Sequence, residues 1–153
     1  MFNVLFSRPF TGSSPDPYPS DGPGVNYIVT RDLVADVDAY EQGQIDRQTL
    51  LSRREIKMGE SKDFFRRRHG YAKCQRRYRH EWKAMYTTPE RKLTEHLVQD
   101  ETRSARRART VCSCRKRHTE WVDYLVMGGE RGLEREFFRW IALRGYTSTA
   151  TYF

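Results

Sequence analysis

The sequence has few cysteines and no long apolar segment. Of its 153 residues, three are cysteines, namely Cys74, Cys112 and Cys114. An odd number without regular spacing argues against the disulfide framework of a small secreted domain and favours a reducing compartment or at most one disulfide. No run approaches the ~20 apolar residues that cross a bilayer, so we predict no transmembrane span.

Recognisable catalytic motifs are also missing. The chain has four histidines, His69, His80, His96 and His118, and none belongs to a metal-binding or nucleophile motif. A glycine-rich phosphate-binding loop is absent as well. These absences predict a protein that is not an enzyme, has no cofactor and takes no small-molecule substrate.

What the chain does have is positive charge, concentrated in its middle. Residues 1–52 carry a net charge of −4, residues 53–118 carry +13, and residues 119–153 carry −1. The basic segment also contains aromatic residues, and this combination predicts a surface that binds an acidic partner. Eight acidic residues within the segment dilute the charge. The candidate contacts with phosphate, lipid or carboxylate groups are Arg66, Arg67, Arg68, Arg76, Arg77, Arg106, Arg107, Arg115, Lys116 and Arg117.

The pattern of apolar residues predicts an all-α fold. Larger apolar residues recur every seven positions, as at Leu51, Met58 and Phe65, which is typical of helix packed on helix. Thr88 and Pro89 mark a stop and a new start. We therefore predict a long antiparallel helical hairpin over 47–86 and 89–127, flanked by a short helix from about 30 to 43 and another over 130–144. Asp46 is expected to cap the start of the first long helix, and Gly145 is expected to end the last helix.

The ends of the chain have a different composition. Residues 1–29 are predicted to form an extended N-terminal arm, because they are rich in proline, glycine and serine. Residues 25–29 form either a short strand or an extended stretch on a partner. The helical domain is expected to cover 30–145, followed by an extended C-terminal tail over 146–153.

Cys112, Cys114 and His118 invite a zinc-site interpretation, with a fourth ligand from Cys74 or His69. In the predicted hairpin, Cys74 and Cys112 would lie about 16 Å apart along the helices. That distance is too long for a disulfide or a shared zinc ion. We therefore interpret these residues as ordinary cysteines and predict no metal site.

The segment from His69 to Cys74, HGYAKC, is similar to the His-aromatic-x-Lys-Cys segment of a complex I accessory subunit of the PDSW type. More broadly, the chain resembles the small accessory subunits of mitochondrial respiratory complexes. The resemblance implies a non-catalytic structural protein at the mitochondrial inner membrane, peripheral to the bilayer. Its expected partners are other subunits of a respiratory complex, complex I being favoured, or of ATP synthase, together with anionic lipid headgroups.

A mitochondrial ribosomal protein is the alternative. Its basic hairpin would bind rRNA phosphates, and Tyr71, Tyr78 or Trp82 would stack on bases. The two classes differ in what replacement of Arg66–Arg68 by alanine does. It should weaken RNA retention in a ribosomal protein but loosen complex assembly in an accessory subunit.

Overall fold

The structure is a computed structural model that describes residues 21–105 and 120–153. Its centre is an antiparallel five-stranded sheet with the strand order β4-β2-β1-β3-β5. The strands are β1 Gly24–Leu33, β2 Glu55–Ser61, β3 Tyr78–Thr88, β4 Val122–Asp123 and β5 Ala150–Tyr152. Strand β1 lies in the middle and pairs with β2 on one side and with β3 on the other.

Short helices connect and cover the strands. They are α1 Val34–Glu41, α2 Arg47–Arg53, α3 Phe64–Gly70, α4 Arg91–Glu101, α5 Tyr124–Met127 and α6 Gly129–Leu143, with 3₁₀ turns at Tyr71–Cys74 and Arg103–Ala105. Helices α4 and α6 pack on one face of the sheet. The main core lies there and includes Ile28, Ile56, Met58, Val98, Leu133, Phe137 and Ile141.

The opposite face of the sheet is covered by α3 and by Trp121. Side chains alternate along a strand, so Ile28 of β1 points to the main core while its neighbours Tyr27 and Val29 point to this second face. Tyr27, Val29, Phe64 and Trp121 form a smaller core on that face. We refer to the two sides as the helix-covered face and the α3 face.

The predicted all-α hairpin is wrong. Of the described residues 50% are helical and 28% are in strands, but the longest helix has only 15 residues. The heptad positions fall in three different elements, with Leu51 in α2, Met58 in β2 and Phe65 in α3. Residues 55–61 and 78–88 alternate between the two faces and pair with β1, so their period is that of strands. The aromatic residues of β3 also favour extended structure.

The second predicted helix, over 89–127, is replaced by α4, a 3₁₀ turn, β4 and α5 within the described part of that range. The short helix predicted from Thr30 begins only at Val34, because Thr30 belongs to β1. Two local predictions are confirmed. The Asp46 carboxylate caps α2 by accepting a hydrogen bond of 2.8 Å from the Thr49 amide, and α6 is followed by Gly145, which has a φ of 71°.

The ends of the chain are part of the sheet wherever they are described. The boundary predicted at residue 29 falls inside β1, and Asn26, Tyr27 and Ile28 are among the most buried residues. Residues 150–152 of the predicted tail form β5. Among the helices of the described ranges, none combines the length and apolar character that crossing a bilayer requires.

Candidate functional site

A cleft opens on the α3 face where the outer edge of β2 is only partly paired. Strand β4 pairs with Glu55 and Ile56 alone. Further along β2, α4 lies against the edge, and the Gln99 side chain donates a hydrogen bond of 3.3 Å to the Met58 carbonyl. The cleft therefore lies between β2, α3 and α4.

Tyr27 forms the floor of the cleft, and Gly59 of the neighbouring strand makes room for its ring. A Cβ atom at Gly59 would lie 2.3 Å from Cζ of Tyr27. The Tyr27 hydroxyl shares a hydrogen bond of 3.0 Å with the hydroxyl of Tyr71. Burial raises the pKa of both tyrosines well above the ordinary value, so both hydroxyls stay protonated at neutral pH.

Glu95, on α4, lines the same cleft. Burial raises the pKa of its carboxyl group to about 7; the charges of Glu60 and Glu120 add to the rise, and those of Lys57 and Arg67 oppose it. A carboxyl group with this pKa exchanges a proton near neutral pH, as a general acid or base must.

Lys57 and Arg67 line the Glu95 cavity together with the carboxylates of Glu60 and Glu120. The Lys57 ammonium donates a hydrogen bond of 2.8 Å to Glu120 and lies about 5 Å from the ring centres of Tyr71 and Trp121. Arg67 projects from α3, whose first turn is capped by a hydrogen bond from the Arg66 amide to the Asp63 carboxylate. The Arg67 guanidinium makes no ion pair with any residue of the described ranges.

The cleft consists of two adjoining cavities. The one around Glu95 has a volume of about 540 Å³, and the one beside α3 has about 730 Å³. They share Lys57, Glu60, Arg67 and Glu120. Eight Lys or Arg residues line the larger cavity against three acidic residues, so its electrostatic potential favours an anion. The basic residues are Arg31, Lys57, Lys62, Arg66, Arg67, Lys73, Arg91 and Lys92.

The structure brings only some of the predicted contacts to the cleft. Arg66 and Arg67 line it, whereas Arg68 lies on the other side of α3, with its guanidinium 5.9 Å from the ring centre of Phe153. Arg76 and Arg77 are exposed between the 3₁₀ turn and β3, outside both cavities. The remaining candidates, Arg106, Arg107, Arg115, Lys116 and Arg117, lie outside the described residues.

The fold also changes the interpretation of the candidate zinc ligands. The separation predicted between Cys74 and Cys112 assumed a helical hairpin that the fold does not contain, so it no longer excludes a shared zinc ion. Cys74 is buried at the end of the 3₁₀ turn, and Cys112, Cys114 and His118 are outside the described residues. Within residues 21–105 and 120–153, no group of three or more His, Cys, Asp or Glu residues is placed to hold a metal ion.

Sequence reasoning missed Tyr27, Lys57, Glu95 and Glu120. Glu95 was counted only as one of the acids that dilute the basic segment. A usable signal was Gly59, because a glycine inside an alternating segment suggests that another group approaches the strand closely. The chain matches no protein-family model, no curated protein and no solved structure in the comparisons made.

Proposed function

We propose that this protein cleaves phosphodiester bonds of nucleic acid in the cleft beside α3, which departs from the sequence-based expectation that it is not an enzyme. The observation that carries the proposal is Glu95, whose carboxyl group has a pKa raised to about 7 by burial and which lines one cavity with Lys57 and Arg67. Acid–base chemistry at neutral pH needs the first feature, and binding of a phosphate needs the second.

Each residue of the cleft has its own role in the proposed reaction. Ionised Glu95 accepts a proton from a water molecule, whose oxygen bonds to phosphorus while the bond to the leaving ester oxygen breaks. That oxygen takes its proton from solvent. Lys57 and Arg67 stabilise the charge that develops on the phosphoryl oxygens. Tyr27 and Tyr71 share one hydrogen bond, in which one hydroxyl donates its proton to the other. The hydroxyl that accepts this bond can donate its own proton to the phosphate.

The size and charge of the cleft favour a polymer over a small phosphate ester. The two cavities adjoin through Lys57 and Arg67 and offer room for more than one phosphate. Lys62 and Arg66 line the larger cavity beyond the reaction centre, and among the described acidic residues neither has an ion-pair partner. Such cations bind the successive phosphates of a nucleic acid backbone.

Non-catalytic RNA binding, as in a mitochondrial ribosomal protein, is the second candidate function. The exposed guanidinium groups of Arg66 and Arg68 support it, since they are open to phosphate contacts without any chemistry. The accessory-subunit hypothesis depended on the helical hairpin, which the fold does not contain. Membership of a respiratory complex, lipid binding and mitochondrial location stay predictions.

The test is a cleavage assay with end-labelled single-stranded DNA, duplex DNA and RNA, each with Mg²⁺, with Mn²⁺ or with EDTA. Glu95→Gln should lower the cleavage rate by a factor of about 10² or more, as loss of an acid–base group does. Glu101→Gln is the matched control, because Glu101 is an exposed glutamate on the same helix. It should cleave at the wild-type rate.

Two results would contradict the proposal. One is cleavage by Glu95→Gln at the wild-type rate. The other is a wild-type protein that cleaves none of the three substrates under any of the conditions; if that protein still bound RNA tightly, the second candidate function would replace the first.

A further inference from the structure

Exposed aromatic rings lie on the side of α3 that faces away from the catalytic cleft. Phe65 is 70% exposed and Phe153 is 55% exposed, while Phe64 between them is only 5% exposed. The Phe64 ring is edge-on to Phe65 at 5.5 Å between ring centres and parallel to Phe153 at 5.4 Å. Three rings therefore form one surface, and two of them are open to solvent.

Pairing with the sheet fixes this surface in place. Strand β5 pairs with β3, and the Phe153 amide donates a hydrogen bond of 3.0 Å to the Lys83 carbonyl. Phe65 is held by α3, which packs on the sheet through Phe64. A ligand that stacks on rigid rings loses less entropy on binding than one that must first order them.

The ring surface borders a groove that carries one arginine, Arg68, and that adjoins the cleft. This groove has a volume of about 500 Å³ and is lined by residues that include Phe65, Arg68, His69, Tyr71 and Trp82. Tyr71 also lines the larger cavity of the cleft, where its hydroxyl meets that of Tyr27. The groove and the cleft are therefore neighbours across α3.

The positive charge beside the exposed rings indicates which kind of ligand binds to them. The Arg68 guanidinium lies 5.9 Å from the ring centre of Phe153, and none of the acidic residues in the described ranges pairs with it. An apolar protein surface would bury this charge without a counter-charge, which is costly. A nucleic acid strand offers bases to the rings and a phosphate to the arginine.

We infer that Phe65 and Phe153 stack on unpaired bases, so that the substrate of the proposed cleavage is single-stranded nucleic acid. The inference rests on the proposed function for the reaction, but the binding it predicts is measured separately. In a duplex the base faces are already stacked, so the rings have no partner there.

The experiment is fluorescence anisotropy of the full chain with a labelled oligothymidylate of about 12 nucleotides, within the usual site sizes of ~4–16, and with a duplex of equal length. EDTA is present, and gel electrophoresis of the oligonucleotide after each measurement confirms that it has not been cleaved. The variants are Phe65→Ala and Phe65→Leu. Tyr40→Ala, which removes an exposed ring from α1, is the matched control, and thermal unfolding checks that every variant is folded.

Both Phe65 variants should bind the single strand about tenfold more weakly, the loss expected for one stacked base. Binding of the duplex and of the Tyr40→Ala variant should be unchanged. Wild-type affinity in Phe65→Leu would overturn the inference, because any apolar side chain would then suffice, as it does against a protein or lipid surface. Equal weakening for duplex and single strand would overturn it as well.

The inference and the proposed function fail in different ways. If Glu95→Gln abolishes cleavage while Phe65→Ala binds the single strand normally, the stacking surface is wrong and the cleavage site stands. If Phe65→Ala loses single-strand binding while the wild-type protein cleaves nothing, the stacking surface stands and the cleavage site is wrong.

Discussion

The two faces of the sheet are built from different kinds of residue. The helix-covered face is closed by side chains such as Ile28, Ile56 and Phe137, which are all fully buried. The α3 face buries Tyr27 and Trp121, but also Arg31 and Lys57. Buried charges destabilise a fold unless they are paired. The contrast indicates that the first face stabilises the sheet, while the second holds charged groups, on which the proposed phosphate chemistry depends.

The largest effect is expected on the helix-covered face. Phe137→Ala should lower the free energy of unfolding by about 3–5 kcal/mol, because it removes a ring from the centre of the core. The Phe137 ring stacks on that of Tyr86 at 4.6 Å between ring centres. Urea unfolding measures the change. Phe138→Ala, at a neighbouring position that is 36% exposed, should have a clearly smaller effect; an equal loss would contradict this assignment of the core.

On the α3 face, replacement of the charged residue Arg31 should lower the free energy of unfolding almost as much. Arg31 lies between the rings of Tyr78 and Trp121, at 3.8 and 4.2 Å, and pairs with Glu55 at 2.8 Å. Arg31→Leu should cost about 3 kcal/mol in urea unfolding, because it removes the guanidinium that pairs with the buried Glu55 carboxylate. The double variant with Glu55→Leu should recover much of the loss. If it does not, the rings and not the ion pair account for the role of Arg31.

Glu95 should behave in the opposite way, since its burial destabilises the folded state. Because the pKa of the Glu95 carboxyl group is raised from 4.5 to about 7, the folded state holds this proton more tightly than the unfolded chain does. The stability that depends on this protonated carboxyl group is fully present below about pH 4.5 and is lost as pH rises through 7. Glu95→Gln should therefore raise the free energy of unfolding by roughly 2–3 kcal/mol at pH 8 and by almost nothing at pH 4. Urea unfolding at both pH values checks this. An equal gain at both would contradict the raised pKa.

The smallest change in stability is expected at Tyr27. Tyr27→Phe removes one hydroxyl and should cost about 1 kcal/mol, the usual value of a hydrogen bond, while cleavage falls much more. Tyr40→Phe, which removes a hydroxyl from an exposed ring on α1, is the matched control for both measurements. Cleavage by Tyr27→Phe at the wild-type rate would remove Tyr27 from the mechanism and leave it a structural residue of the α3 face.

Local signals in the sequence predicted local structure well. Asp46 and Gly145 mark the start of α2 and the end of α6 because capping involves residues close together in the chain. The strands were missed because Glu55–Ser61 and Tyr78–Thr88 acquire their period only by pairing with β1, which is distant in sequence. For the same reason Arg67 was found as part of the basic run Arg66–Arg68, but its position in one cavity with Glu95 was not, since α3 and α4 line the same cleft only in the folded chain.

The close approach of Tyr27 to Gly59 has a consequence for how this sequence can vary. A side chain at position 59 would occupy the space of the Tyr27 ring, so each residue determines what is allowed at the other. In a library that randomises both positions, functional clones should keep the tyrosine and the glycine together. Larger residues at 59 should appear only with small ones at 27, in proteins that fold but have lost the floor of the cleft. The residues at positions 27 and 59 should therefore covary, although they lie on different strands.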